Sequence, residues 1–87
     1  MSRSPASRSS AAQERSRRLT RREYQVLLKL SEGLATGDIA DALFISRVTV
    51  RNHVARILVK LHVHSRLAAV AYAMRNGLLV RRSRARR

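Results

Sequence analysis

Between residues 19 and 80, apolar side chains recur at intervals of three and four in four separate runs. No stretch alternates apolar and polar residues for long enough to make a half-buried strand. This periodicity restricts the chain to helices packed against one another. The only Asn-Gly pair, Asn76-Gly77, closes a helical pattern and does not join two strand-like runs. With 3% aromatic residues, the core must be aliphatic. Eighty-seven residues suffice for one small domain, and domains of this size gain most from self-association.

Each run has its own start and stop signals. Thr20-Arg21-Arg22-Glu23 reads as a capping box opening a helix from about Arg21 to Glu32, with Leu19 and Tyr24 as a hydrophobic staple. Tyr24, Leu27, Leu30 and Leu34 supply its stripe, and Gly33 suits the left-handed position at its end. A short second helix is expected over about Gly37 to Leu43, with Thr36 as its N-cap and Asp38 at the positive end of its dipole. Ile39, Ala40 and Leu43 share a face. Ala40 is small where the second and third helices must cross. After the break at Leu43-Phe44-Ile45, Ser46 caps a third helix from about Arg47 to Leu61, and Val50, Val54, Ile57 and Leu61 point it to the core. Ser65 caps a fourth helix that ends at Asn76-Gly77. From Leu67 to Met74 this helix is apolar nearly all round, so a second face is expected to meet a partner, most simply another copy. Leu67, Ala68, Ala71, Tyr72 and Met74 are the expected dimer contacts, and Leu78-Leu79-Val80 are expected to return to the core.

The charge points to a partner. Nineteen Lys and Arg against five Asp and Glu give +14, an excess that a polyanion would take up. Residues 1–18 carry five Arg, one Glu and no Leu, Ile, Val or aromatic residue, so they cannot bury enough surface to offset their ordering and are expected to be a disordered basic arm. Residues 81–87, RRSRARR, are a second such arm. The arms carry +9 and the folded part +5. Solubility and non-specific phosphate contact explain such arms equally well. An anionic membrane surface is the weaker partner, because the longest apolar run is eight residues where a span needs about 20. The leader also has the composition of a transit peptide, one that ordinary tails share.

Two helices joined by a tight turn, short then longer, make a helix-turn-helix whose second helix enters the major groove. Opposite its core stripe, this helix carries Arg47, Val48, Arg51, Asn52, Ala55 and Arg56. Arg51 can donate twice to guanine and Asn52 can pair with adenine, while Ala55 and Val48 can touch a thymine methyl. Arg47, Thr49, His53, Arg56 and Lys60 are the expected phosphate contacts. A solvated helix face is the alternative. The absence of any acid from 46 to 61 in a strongly basic chain favours DNA.

The order and spacing of these motifs resemble the LuxR-type (GerE/NarL-like) DNA-binding domain over residues 19–79. The shared elements are Leu19-Thr20-x-Arg22-Glu23, Val26-Leu27, Gly33, Ile39-Ala40-x-x-Leu43, Ile45-Ser46-x-x-Thr49-Val50-x-x-His53, Lys60-Leu61 and Ser65-Arg66. The resemblance implies an all-α, four-helix helix-turn-helix domain that regulates bacterial transcription and dimerises through the last helix. It also implies base contacts at Arg51, Asn52 and Ala55, and positions near the backbone for Thr49, His53 and Lys60. Double-stranded DNA and a second copy are thus the expected partners, RNA polymerase a further candidate, and the cytoplasm, at the nucleoid, the expected location. Eighteen residues cannot form the receiver or sensing domain usual in the family, so a stand-alone effector domain or a piece of a longer regulator is expected, with Met1 favouring the former. His62 stands where the family commonly has Gly, Val59 where a base is frequent, and Ala55 where a longer polar side chain is common. Arg47-Val48 replaces small or acidic residues.

Two other nucleic-acid readings fit parts of the pattern: non-specific binding driven by the Arg-rich arms, and a sigma-factor-like domain, which shares the Leu-Thr-x-Arg-Glu start. An enzyme is not expected. Glu14, Glu23, Glu32, Asp38 and Asp41 are scattered, no phosphate loop or nucleophile elbow is present, and there is no Cys. His62-x-His64, with His53 further off, lacks the acid or Cys support of a zinc site. No cofactor or metal is expected.

Overall fold

The computed structural model describes residues 14, 15 and 17–79. Among the described residues, four helices with both ends in view follow in order: α1 (Arg21–Ser31), α2 (Thr36–Leu43), α3 (Arg47–Leu61) and α4 (Arg66–Arg75). Helix α3 is the central element and packs against all the others except through its outer face. Its Val50, Val54, Ile57 and Leu61 are buried, as their spacing predicts. Val26 and Leu27 of α1, Ile39 and Ala40 of α2, and Ala69 and Ala73 of α4 close the core around them, with Leu79 beneath. Fully burying one such branched aliphatic side chain stabilises a fold by about 1.5–3 kcal/mol, so this cluster holds α3 in place.

The caps follow the local sequence in three of four cases. The Glu23 amide donates to the Thr20 hydroxyl at 3.0 Å and the Thr20 amide to the Glu23 carboxylate at 2.9 Å, which completes the capping box. The Thr49 amide donates to Ser46 Oγ and the Ala68 amide to Ser65 Oγ, both at 3.0 Å. Helix α2 differs: its N-cap is Ala35, with no side-chain bond, and Thr36 is already inside the helix. The Thr36 hydroxyl instead accepts from the Arg66 guanidinium at 2.8 Å, a partner thirty positions away that no local pattern announces.

All four helices end alike. The amides of Leu34, Ile45, Val63 and Leu78 each reach back five residues to a carbonyl, and the residue before each has positive φ. That residue is glycine in α1 and α4, but Phe44 (φ 58°) in α2 and His62 (φ 61°) in α3. His62, which stands where the resembled family commonly has Gly, thus takes the left-handed position at the end of α3.

The arm expected over residues 1–18 begins earlier than its predicted boundary to show structure: Glu14, Arg15 and Arg17 are helical. Arg15 has a tertiary partner that composition does not reveal. Its Nη1 donates to the Tyr72 hydroxyl at 2.8 Å, and its guanidinium sits 5.7 Å from that ring's centre. The expectations for residues 1–13, Val80 and the arm at 81–87 lie outside the described residues.

Candidate nucleic-acid interface

Helix α3 turns its wet side away from the core. Arg47, Val48, Arg51, Asn52, Ala55 and Arg56 are all exposed, as is Val59 a turn further on. The fully buried Val50, Ile57 and Leu61 on the opposite side fix the direction of this face. Neither Arg51 nor Asn52 has a side-chain hydrogen bond or ion pair among the described residues, so both forks are available to a ligand. Among the same residues, the face from Arg47 to Leu61 contains no acidic side chain.

The residues expected near phosphates separate into three kinds. Thr49 is half-buried, and its hydroxyl accepts from Ser46 Oγ at 2.9 Å, which leaves its own proton to donate outward. Arg56 is exposed on the outer face. Arg47 is exposed but folds back over the start of α2: a Cβ on Gly37 would stand 2.8 Å from its Nη2. His53 is half-buried, with Nδ1 sealed from solvent and without a partner. That leaves Nε2 as the ring atom suited to an outside partner.

Lys60 is placed differently from expectation. Its ammonium lies 2.6 Å from the carboxylate of Glu23, which is 2% exposed and also accepts from the Thr20 amide. Burial pushes the Glu23 carboxyl up, but the bonds from Lys60 and Thr20 and the charges of Lys60 and His53 outweigh it and hold it below the ordinary value. Lys60 therefore serves first as the counter-ion of a buried acid, tying α3 to the start of α1. The sequence hides this because Glu23 is already explained by its capping box and Lys60 by a basic face.

Helix α4 is not apolar on two equal sides. Ala69 and Ala73 face the core, and Ala68, Ala71 and Tyr72 are half-buried. Tyr72 spends its hydroxyl on Arg15. Leu67 and Met74, seven residues apart, are the large apolar side chains left open, 78% and 58% exposed. Among the described residues, no helix is long and apolar enough to cross a membrane.

Residues 17–73 match the family described as "Bacterial regulatory proteins, luxR family". The chain is 44% identical over 68 residues to the uncharacterized transcriptional regulatory protein YxjL of Bacillus subtilis, covering 78% of this chain and 31% of that protein. It is 46% identical over 59 residues to the transcriptional regulatory protein DegU of Brevibacillus brevis, covering 68% of this chain and 25% of that protein. The crystal structure of full-length FixJ from B. japonicum superposes with a TM-score of 0.73 at 33% identity, over 88% of this chain and 40% of FixJ. The chain thus spans a third or less of the length of the two regulators it matches in sequence. It belongs to the luxR family of bacterial regulatory proteins, a family of regulators and not of enzymes, and its four helices carry that family's helix-turn-helix architecture.

Proposed function

We infer that this domain reads duplex DNA with α3 in the major groove and acts as a transcriptional regulator. The observation that carries the reading is the pair Arg51 and Asn52. Both are exposed, unpaired among the described residues, and set one position apart on a helix whose far side is locked in the core. The Arg51 guanidinium can donate twice to guanine O6 and N7, the Asn52 amide can donate to adenine N7 and accept from its N6, and the neighbouring Ala55 and Val48 offer methyl contacts to thymine. Arg47, Thr49, Arg56 and His53 flank them toward the backbone. RNA polymerase stays a further candidate partner with no residue assigned to it.

The domain works as a dimer in this reading. Leu67 and Met74 stand on one stripe of α4 with half-buried Ala71 between them, an apolar strip that a second copy would cover by two-fold symmetry. Two recognition helices so related would enter major grooves about one turn, ~34 Å, apart, and the site would be an inverted repeat. In vitro selection from random duplexes at near-physiological salt tests this. A recovered inverted repeat supports it, and recovery of no preferred sequence transfers the binding to the basic arms.

A further inference from the structure

The residues just before α1 reach across to α4. The Arg18 amide donates to the Arg15 carbonyl at 3.1 Å and closes a turn. Leu19 then packs against the core and Thr20 caps α1, so the turn is anchored where it enters the domain. Its other end is held by one side chain. The Arg15 guanidinium lies 5.7 Å from the centre of the Tyr72 ring, and its Nη1 donates to the Tyr72 hydroxyl at 2.8 Å. Arg15 is half-buried there, yet it pairs with no carboxylate among the described residues, where the ion pairs are Lys29–Glu32 and Lys60–Glu23. A ring face and a neutral hydroxyl hold a guanidinium less firmly than a carboxylate does.

Tyr72 borders the apolar strip of α4. Ala71 precedes it, and Ala68 stands one turn back on the same side. The strip itself offers two large side chains per copy, Leu67 and Met74. A stable interface buries about 1,200–2,000 Å² in all, more than those side chains from two copies supply. The Tyr72 ring is the aromatic surface of this helix, and Arg15 of the same chain lies over it. We propose that Arg15 and Tyr72 form a self-inhibitory clasp. While it is closed, α4 offers a second copy only the narrow strip; its release adds the Tyr72 flank and tightens the dimer. The inference rests on the reading of the Leu67–Met74 strip as the dimer contact. The clasp keeps free copies weakly associated, and pairing is completed where a duplex with two half-sites raises their local concentration. In this role Arg15 acts on pairing through Tyr72 and not as a contact to DNA.

The test is sedimentation velocity on the full chain without DNA, over a range of concentrations at fixed salt, which reads the dimer dissociation constant. Arg15→Ala is expected to lower that constant about tenfold. Tyr72→Phe keeps the ring and every charge but loses the hydroxyl, and should lower it by a smaller factor. The double variant should be no tighter than Arg15→Ala alone, because both substitutions open one contact. Arg17→Ala removes the same charge from an exposed neighbour and should change nothing. Leu67→Glu added to Arg15→Ala should return the protein to monomer, which locates the tightened contact on α4. An unchanged or raised constant for Arg15→Ala, or an equal fall with Arg17→Ala, overturns the clasp. Should Arg15→Ala melt early, Tyr72→Phe decides, and an unchanged or raised constant in that variant overturns it. If Leu67→Glu and Met74→Glu weaken the dimer of the unaltered chain while Arg15→Ala has no effect, the clasp alone fails. If neither glutamate weakens it, the strip is not the dimer contact and the clasp falls with that reading.

Discussion

Glu23 shows how one side chain takes on two tasks. Its carboxylate completes the cap of α1 and anchors Lys60 of α3, while almost none of it reaches solvent. The two partners are unequal, because the Lys60 side chain is 27% exposed and that of Glu23 is 2%. Removing the lysine strands a buried carboxylate, whereas removing the acid strands an ammonium that water can reach. Lys60→Met is therefore expected to cost about 3 kcal/mol and Glu23→Gln less, as read from denaturant unfolding. Because the folded Glu23 carboxyl titrates below its ordinary 4.5, its contribution is complete above that pH and is lost as the pH falls through the lowered value. Melts between about pH 3 and 7 should show a shallower acid decline in Glu23→Gln. Arg51 is the contrasting residue, with nothing inside the domain to lose. Arg51→Ala should leave the melting temperature in place and cost roughly 1–3 kcal/mol of discrimination at one base pair, measured by repeating site selection.

At the level of elements, the ends of the two helices of the helix-turn-helix are the unusual parts. Phe44 and His62 hold left-handed backbone that Gly33 and Gly77 hold at the other two ends. An L side chain there costs roughly 1–2 kcal/mol, partly offset in the comparison with glycine by glycine's greater freedom when unfolded. Phe44 is 93% exposed and recovers nothing by packing. Phe44→Gly and His62→Gly should each raise stability by about 0.5–1 kcal/mol, visible as a higher melting temperature. For α4, Leu67→Glu and Met74→Glu should shift the protein toward monomer in sedimentation velocity, and a protein that sediments unchanged would remove this stripe as the dimer contact. Tyr72, an equal candidate from sequence, is a poorer one in the structure because Arg15 already engages it.

The four helices were legible because their signals are local. Thr20 with Glu23, Ser46 with Thr49 and Ser65 with Ala68 lie three residues apart, and the core of α3 repeats every three or four. The exposed face of α3 followed, being whatever the core stripe leaves outside. The pairs Glu23–Lys60, Thr36–Arg66 and Arg15–Tyr72 were not legible. They span 37, 30 and 57 residues, and each member already had an adequate local explanation as a cap, a basic face or an apolar stripe. Thr36 is the plainest case, since a threonine before a helix is its own best argument for a cap until a distant arginine claims its oxygen.

Over the whole molecule, charge is unevenly shared, with five of the nineteen bases in residues 81–87. Deleting those residues should weaken binding to all duplexes alike and flatten its salt dependence, and an unchanged slope in anisotropy titrations would show that the tail stays off DNA. The two tyrosines, finally, both sit where the ends of the domain are fastened. Tyr24 donates to the carbonyl of Leu78 at 3.2 Å, and Tyr72 accepts from Arg15. With no tryptophan in the chain, its intrinsic ultraviolet emission originates at these two seams and not in the aliphatic interior. An optical signal from this protein therefore reports fraying of its borders, while the coiled backbone at its centre stays dark.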